Sequence, residues 1–365
     1  SSFPFIYFIV ASISFLAINR FILKYLISFR ISILLISIGF LIFYPQPVHI
    51  LLFSFYSYGV LHLSVGYFKS NQKLLMTLLA LLPMLLMKLD IKTEWFQIVG
   101  LSYISFRTVQ IIVDTNNKEN QISILDFLSF VLFTPTLLIG PIDRSDRFLK
   151  NINDETSFNS TRFLEGLQFI LKGLVFKFVL AVLINDFWMR FIVVDSWVDH
   201  VHMAYVYTAY LFFDFAGYSA LAVGYGKLLG IDVPINFDKP YLAVNPPDFW
   251  RRWHKSLGDW LRDYFFKPIY KELSSRDVLN SMLQRQNLAL FLTFFLMGCW
   301  NGFKLYYILS GALFGLYSMV YNTYLYNCKK KKKDRRESAQ HVGAVTKFNA
   351  RCTRSIAQFH LFQPS

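Results

Sequence analysis

Charge is scarce in this chain. Asp, Glu, Lys and Arg make up only 16% of its 365 residues, while 55% are hydrophobic and 18% aromatic. An ordinary soluble domain carries about 25% charged residues, so this composition argues against two or three water-facing domains and for one polytopic membrane domain. Acid is the scarcer sign, with 23 acidic residues against 37 basic and a formal net charge of +14. The basic residues are scattered among apolar runs and form no stripe, which excludes a nucleic-acid surface. Cysteine is nearly absent. Cys299, Cys328 and Cys352 show no CxxC or metal-ligand spacing, so they support neither a disulfide framework nor a zinc site. HExxH, GxSxG and Walker loops are missing, and no internal repeat is visible.

Long apolar runs fill the space left by charge. They lie near 4–19, 28–45, 48–67, 74–90, 96–114, 125–142, 164–188, 203–230, 288–302 and 305–327. The pattern predicts an all-α polytopic membrane protein with about ten helices, some of them too short or interrupted to span and therefore re-entrant. Arg20 with Lys24, Lys69 with Lys73, and the run Lys329–Lys333 mark cytoplasmic faces. Such clusters suit anionic membrane lipids or an acidic protein partner. Residues 115–124, 149–162 and 270–287 read as polar connections. The chain opens on Ser1, with no cleavable signal pattern, and its first apolar run starts almost at once, so a trimmed N-terminus is expected. Composition changes again near 328. Residues 1–327 form the membrane domain, and 328–365 read as a basic cytoplasmic tail, flexible or aberrant, because a lysine homopolymer is a slippage point.

Most chemistry-bearing residues crowd into 236–270, NFDKPYLAVNPPDFWRRWHKSLGDWLRDYFFKPIY. At about 100° per residue, Trp250, Trp253, His254, Leu257, Trp260, Leu261 and Tyr264 fall on one side of a helix. Arg251, Arg252, Lys255, Asp259, Arg262 and Asp263 fall on the other. Asn245 caps the helix, Pro246 suits its first position, and Asp248 complements its exposed amides. Lys255 with Asp259, and Asp259 with Arg262, are spaced to pair. His254 is thereby aimed at the aromatic side. Two readings stay open: an interfacial anchor helix, or a re-entrant wall lining a cavity with His254 projecting into it.

Three further sites are smaller. In Gly140–Arg144, Asp143 and Arg144 either pair at a membrane-edge turn or floor a substrate path. Asp214 sits within an apolar run and is expected to pair with an arginine such as Arg107, a place beside the substrate path being the alternative. Asn301 ends an apolar helix between Gly298 and Gly302 and must find hydrogen-bond partners, the freed backbone groups being the nearest. His49, His62, His200 and His202 read as structural or solvated.

The segments GLSYISFRTVQ (100–110), TPTLLIGPIDRSDRF (134–148), DFAGYSALAVGYGKLLGI (214–231) and NFDKP…DFWRRWHKSLGDWLRDY (236–264) resemble the membrane-bound O-acyltransferase (MBOAT) family along most of residues 1–327. Alginate O-acetyltransferases share the last motif, whereas GPIDR followed by Arg-Phe resembles the branch that moves D-alanine onto teichoic acid. The resemblance implies a multi-helix bundle in a bacterial cell membrane, crossed by a tunnel. It implies a phosphopantetheine thioester on an acidic acyl-carrier-type protein as donor at the cytoplasmic face, and a lipid-anchored polymer hydroxyl as acceptor, with no bound cofactor or metal. The family carries two histidines: one matches His254, and the other falls in a Trp-His-Gly segment that here reads Trp300-Asn301-Gly302. His254 and the Asn301 position are therefore the expected catalytic pair, supported by Asp143, Arg144, Asp248, Trp250, Arg252, Trp253 and Asp263. Asparagine cannot take a proton at neutral pH, and loss of a general base typically costs ~10²–10⁴-fold in rate. The alternatives are polysaccharide O-acetylation, a catalytically impaired paralogue that docks a carrier protein, and, third, a transporter.

Overall fold

The computed structural model describes the backbone of residues 3–19, 26–43, 46–66, 73–89, 100–115, 122–137, 140–153 and 159–359, with side chains from 7 to 64 and from 73 to 332 within them. Among the described residues there is no strand. Two compact units divide the chain, Ser1–Phe265 and Phe266–Ser365.

The first unit contains α1 (Phe3–Ala17), α2 (Phe29–Leu41), α3 (Pro47–Gly66), α4 (Lys73–Lys88), α5 (Leu101–Asp114), α6 (Ile124–Val131), α7 (Thr134–Leu137), α8 (Ser145–Asn153), α9 (Ser160–Leu174), α10 (Ala181–Phe187), α11 (Trp197–Leu228), α12 (Pro246–Arg252) and α13 (Lys255–Leu261). Their starts follow local chemistry. Ser28, Ser123, Asn159 and Asn245 each accept a first-turn amide through a side-chain oxygen, and Ser196 with Asp199 forms a reciprocal capping box.

A π-helical turn, Val175–Leu180, joins α9 to α10, so that Ser160–Phe191 runs as one helical rod of 32 residues. With the 32 residues of α11, these are the two helices long and apolar enough to cross a membrane among the described residues; each is about 48 Å long at 1.5 Å per residue. Glycine lets them touch. A Cβ on Gly173 would lie 2.8 Å from the Gly217 carbonyl oxygen, and one on Gly224 would lie 2.7 Å from that of Gly166. Both glycine pairs are seven residues apart on their helices, two turns of close backbone approach.

The apolar run 125–142 does not form one span. It breaks into α6, the four-residue α7 and an extended segment through Gly140–Arg144. The fully buried Arg107 of α5 fills that break. Its guanidinium donates to the carbonyls of Phe130 and Val131 at 2.8 Å, to the Thr136 carbonyl at 2.9 Å and to Thr136 Oγ1 at 2.5 Å. It thus binds the last two carbonyls of α6 as well as the Thr136 carbonyl of α7. The connection expected at 149–162 is helical up to Asn153, because Ser145–Asn153 forms α8; residues 154–158 of that connection and 116–121 of the one before it lie outside the described residues.

The second unit contains α14 (Lys267–Ser275), α15 (Met282–Asn301) and α16 (Leu305–Phe359). Much of the polar connection expected at 270–287 is therefore helical. α15 and α16 meet at Gly298 and Gly311, where a Cβ on Gly311 would lie 2.9 Å from the Gly298 Cα. Asn287 donates to Thr323 Oγ1 at 2.8 Å and accepts from Asn322 at 2.7 Å, tying the same two helices by polar contacts. The α16 backbone continues through residue 328, where composition changes, to Phe359.

Candidate active site

The segment 246–264 is not one helix. α12 ends at Arg252, α13 begins at Lys255, and His254 between them adopts the left-handed conformation, φ +45° and ψ +51°. A single face running from Trp250 to Tyr264 is therefore corrected to two short faces with a turn between them. The turn is a clamp. The Asp238 amide donates to the Arg252 carbonyl at 3.0 Å, and the Lys255 amide donates to the Asn236 carbonyl at 2.9 Å, so residues 236–238 tie down both sides of the break. Ser256 Oγ donates to Asn236 Oδ1 at 2.5 Å and accepts the Ile142 amide at 2.9 Å, which joins the Gly140–Arg144 segment to the same clamp. Helical periodicity shows neither strap, because both come from elsewhere in the chain.

His254 nevertheless faces aromatic side chains. Its ring lies perpendicular to that of Phe215 at 4.7 Å between centroids, Phe215 meets Phe237 at 5.0 Å, and Phe237 meets Trp253 at 5.1 Å. Trp253 stacks on Phe249 at 5.6 Å, and Phe249 meets Trp250 edge-on at 5.4 Å. The residue is partly exposed, but Nε2 is buried and has no hydrogen-bond partner among the described residues. Burial pushes the imidazole pKa down to about 3, so the ring is neutral near pH 7.

The expected pairing of Asp143 with Arg144 does not form as an ion pair. Asp143 pairs with Arg147 one helical turn on, and its Oδ1 also accepts the Arg144 amide at 2.6 Å. Gln110 donates to the Asp143 carbonyl at 3.1 Å. Burial pushes the Asp143 carboxyl above the usual carboxylate range, against the pull of Arg147. Arg144 turns to Asp263 Oδ2 at 2.6 Å and the Asp259 carbonyl at 3.1 Å, with its guanidinium 4.7 Å over the Tyr264 ring. The Tyr264 hydroxyl donates to Asp114 at 2.5 Å. Arg144 and Asp263, both named among the supporting residues but in different motifs, are thus brought together from positions 119 residues apart in sequence.

Asp248 is fully engaged as a local staple. Its amide is capped by Asn245 Oδ1 at 2.9 Å, while its carboxylate accepts the Val244 amide, Arg251 and Arg252 at 3.0–3.2 Å. Of the two charge pairs expected along the polar face, Arg262 with Asp259 forms at 2.6 Å and Lys255 with Asp259 does not. Asp214 pairs with Lys177 at 2.5 Å, correcting the expected Arg107, which is spent on the α6–α7 break. Asn301 belongs to the second unit, where it is exposed and donates to the Met297 carbonyl at 3.2 Å. Among the described residues, no group of three or more His, Cys, Asp or Glu side chains is placed to hold a metal ion.

Sequence reasoning missed Asn236, Ser256, Arg147 and Lys177, and it assigned Arg107 the wrong partner. Arg147 had a signal, since it lies four residues after Asp143. The others act through contacts distant in sequence, which spacing along the chain does not reveal.

A profile of the membrane-bound O-acyltransferase family matches residues 20–350. The teichoic acid D-alanyltransferase of Bacillus subtilis is 34% identical over 233 residues, 61% of this chain and 58% of that protein. The teichoic acid D-alanyltransferase of Streptococcus thermophilus is 32% identical over 276 residues, 71% of this chain and 66% of that protein. A probable alginate O-acetylase of Pseudomonas aeruginosa is 32% identical over 231 residues, 61% of this chain and 42% of that protein. Each match takes in less than two thirds of the relative's own length. With its all-α architecture and a family match running from residue 20 to 350, the chain belongs to the membrane-bound O-acyltransferases.

Proposed function

We propose that the chain is an O-acyltransferase of a bacterial cell membrane that moves D-alanine from a carrier-protein thioester to a polymer hydroxyl in teichoic-acid D-alanylation. The observation that carries this reading is the buried, unpartnered Nε2 of His254 in a chain whose family transfers acyl groups to oxygen. Similarity to two teichoic acid D-alanyltransferases supports D-alanine as the acyl group.

A thioester is already activated, so the protein has three tasks: to position it, to accept the proton of the attacking hydroxyl, and to stabilise the oxyanion. With its proton on Nδ1, His254 accepts the hydroxyl proton at Nε2 as the oxygen–carbon bond forms. The carbon–sulfur bond then breaks and the departing thiolate takes that proton, giving an ester and a free thiol. Burial makes His254 a weak base, and the family's second histidine position reads asparagine here, which is no proton acceptor. Slow turnover follows. The phosphopantetheine arm and its acidic carrier fit the chain's excess of basic residues, and the acceptor is a lipid-anchored polymer.

A second reading, O-acetylation of a polysaccharide, is favoured by the similarity to the alginate O-acetylase. The test offers membranes containing the chain two donors, a D-alanyl-loaded carrier protein and an acetyl-loaded one, with teichoic acid and alginate as acceptors. D-alanyl esters on teichoic acid are expected. Acetyl esters on alginate would establish the second reading, and carrier binding without ester formation would favour a docking scaffold.

A further inference from the structure

We propose that Asn236 is a substrate-contacting residue: its side-chain amide supplies the hydrogen-bond donor for the carbonyl oxygen of the acyl thioester. The proposal rests on the acyltransferase reading above and deepens it.

Asn236 is fully buried. Its main-chain carbonyl and its side-chain oxygen are both occupied, by the Lys255 amide at 2.9 Å and by Ser256 Oγ at 2.5 Å. The side-chain atom facing Ser256 is Oδ1, which accepts the Ser256 hydroxyl hydrogen. Nδ2 therefore points away from Ser256, and it has no partner among the described residues. A buried donor left without a partner is costly, and a fold keeps one without return only rarely.

The neighbouring group has the complementary vacancy. The Asn236 carbonyl binds the amide that joins His254 to Lys255, so the residue bearing the free N–H donor is strapped to the turn bearing the free Nε2. Acyl transfer to a hydroxyl needs two such groups: a donor for an acceptor-only carbonyl oxygen that becomes an oxyanion, and a nitrogen for the proton of the incoming hydroxyl. The left-handed backbone of His254 is held by the same residue, so Asn236 positions one group and supplies the other.

The test uses the full chain in nanodiscs with D-alanyl-S-pantetheine isotopically labelled at its thioester carbonyl, read by isotope-edited infrared spectroscopy, with acetyl-S-pantetheine as control. Binding to the wild type is expected to move the carbonyl band to lower frequency. Asn236→Asp keeps an oxygen for Ser256 but loses the donor, and it is assayed near pH 8 to favour the ionised carboxylate. It is expected to bind the thioester with an unshifted band; so is Asn236→Ala. In the Asn301→His background, Asn236→Asp is expected to lower kcat ~10²–10³-fold with KM little changed, the cost of losing one oxyanion donor. A wild-type band that does not shift on binding, or an Asn236→Asp variant that shifts and turns over like wild type while Asn236→Ala fails, overturns the proposal by making Asn236 a clamp alone. Failure of the wild type to bind either thioester overturns the acyltransferase reading and the proposal with it.

Discussion

Lys177 Nζ meets the Asp214 carboxylate at 2.5 Å, beside the crossing of Gly173 and Gly217. The pair lies within the two long apolar helices, where an unmatched charge is expensive. It also sits on the π-helical turn between α9 and α10, an irregularity that brings a lysine of one rod opposite an acid of the other.

Asp214→Asn and Lys177→Met are therefore expected to destabilise singly, and the double variant to lose less than their sum. The coupling expected for contacting residues is about 0.5–3 kcal/mol. Thermal unfolding of the four proteins in detergent measures it, and simple additivity would show that the two charges act independently.

Gly217→Val places a branched side chain where a Cβ alone would lie 2.6 Å from the Lys177 backbone nitrogen. The helices must separate, at an expected cost of at least about 1–3 kcal/mol for overpacking. The thermal midpoint is expected to drop. Gly59→Ala, where nothing lies within 4 Å of the added carbon, is expected to leave it nearly unchanged and serves as the control.

Arg107→Lys keeps the charge but not the planar fork that reaches Phe130, Val131 and Thr136 together. Loss of about 1.5–3 kcal/mol is expected, the range for hydrogen bonds to a charged group. Hydrogen exchange at the α6–α7 break is expected to accelerate in the same variant. Unchanged exchange there would show that the break is held by something else.

Burial holds the His254 pKa near 3, below the 6.5 of the unfolded chain. Between those values the unfolded chain binds more protons at this site than the folded protein does. The contribution to stability is thus complete above about pH 6.5 and is lost as pH falls toward 3. His254→Phe removes this term, so its thermal midpoint is expected to fall less steeply than the wild type's as pH is lowered from 7 to about 5. Parallel profiles would contradict a buried neutral imidazole.

Much of this was legible in the sequence, for identifiable reasons. Apolar runs became helices because hydrophobic length needs no knowledge of neighbours: run 164–188 falls inside one long rod, and run 203–230 lies in the other up to Leu228. Asn245, Pro246 and Asp248 mark the start of α12 because capping is local. The stop was illegible. Nothing in WRRWHKS announces a left-handed histidine, since the Asn236 and Asp238 straps that hold it arrive from a different segment. Side-chain partners failed in the same way. Asp214 was one of few acids in apolar sequence and Arg107 one of few bases, but the π-turn supplied Lys177, and the broken α6 claimed Arg107.

The most direct measurement is ester formation on teichoic acid over time from a D-alanyl-loaded carrier protein, with the wild type, Asn301→His and His254→Ala compared in membranes. D-alanyl esters are expected to form slowly with the wild type, ~10²–10⁴-fold faster with Asn301→His, and not above background with His254→Ala. Ester formation by His254→Ala at the wild-type rate would contradict the account, because the buried imidazole would then have no part in the transfer.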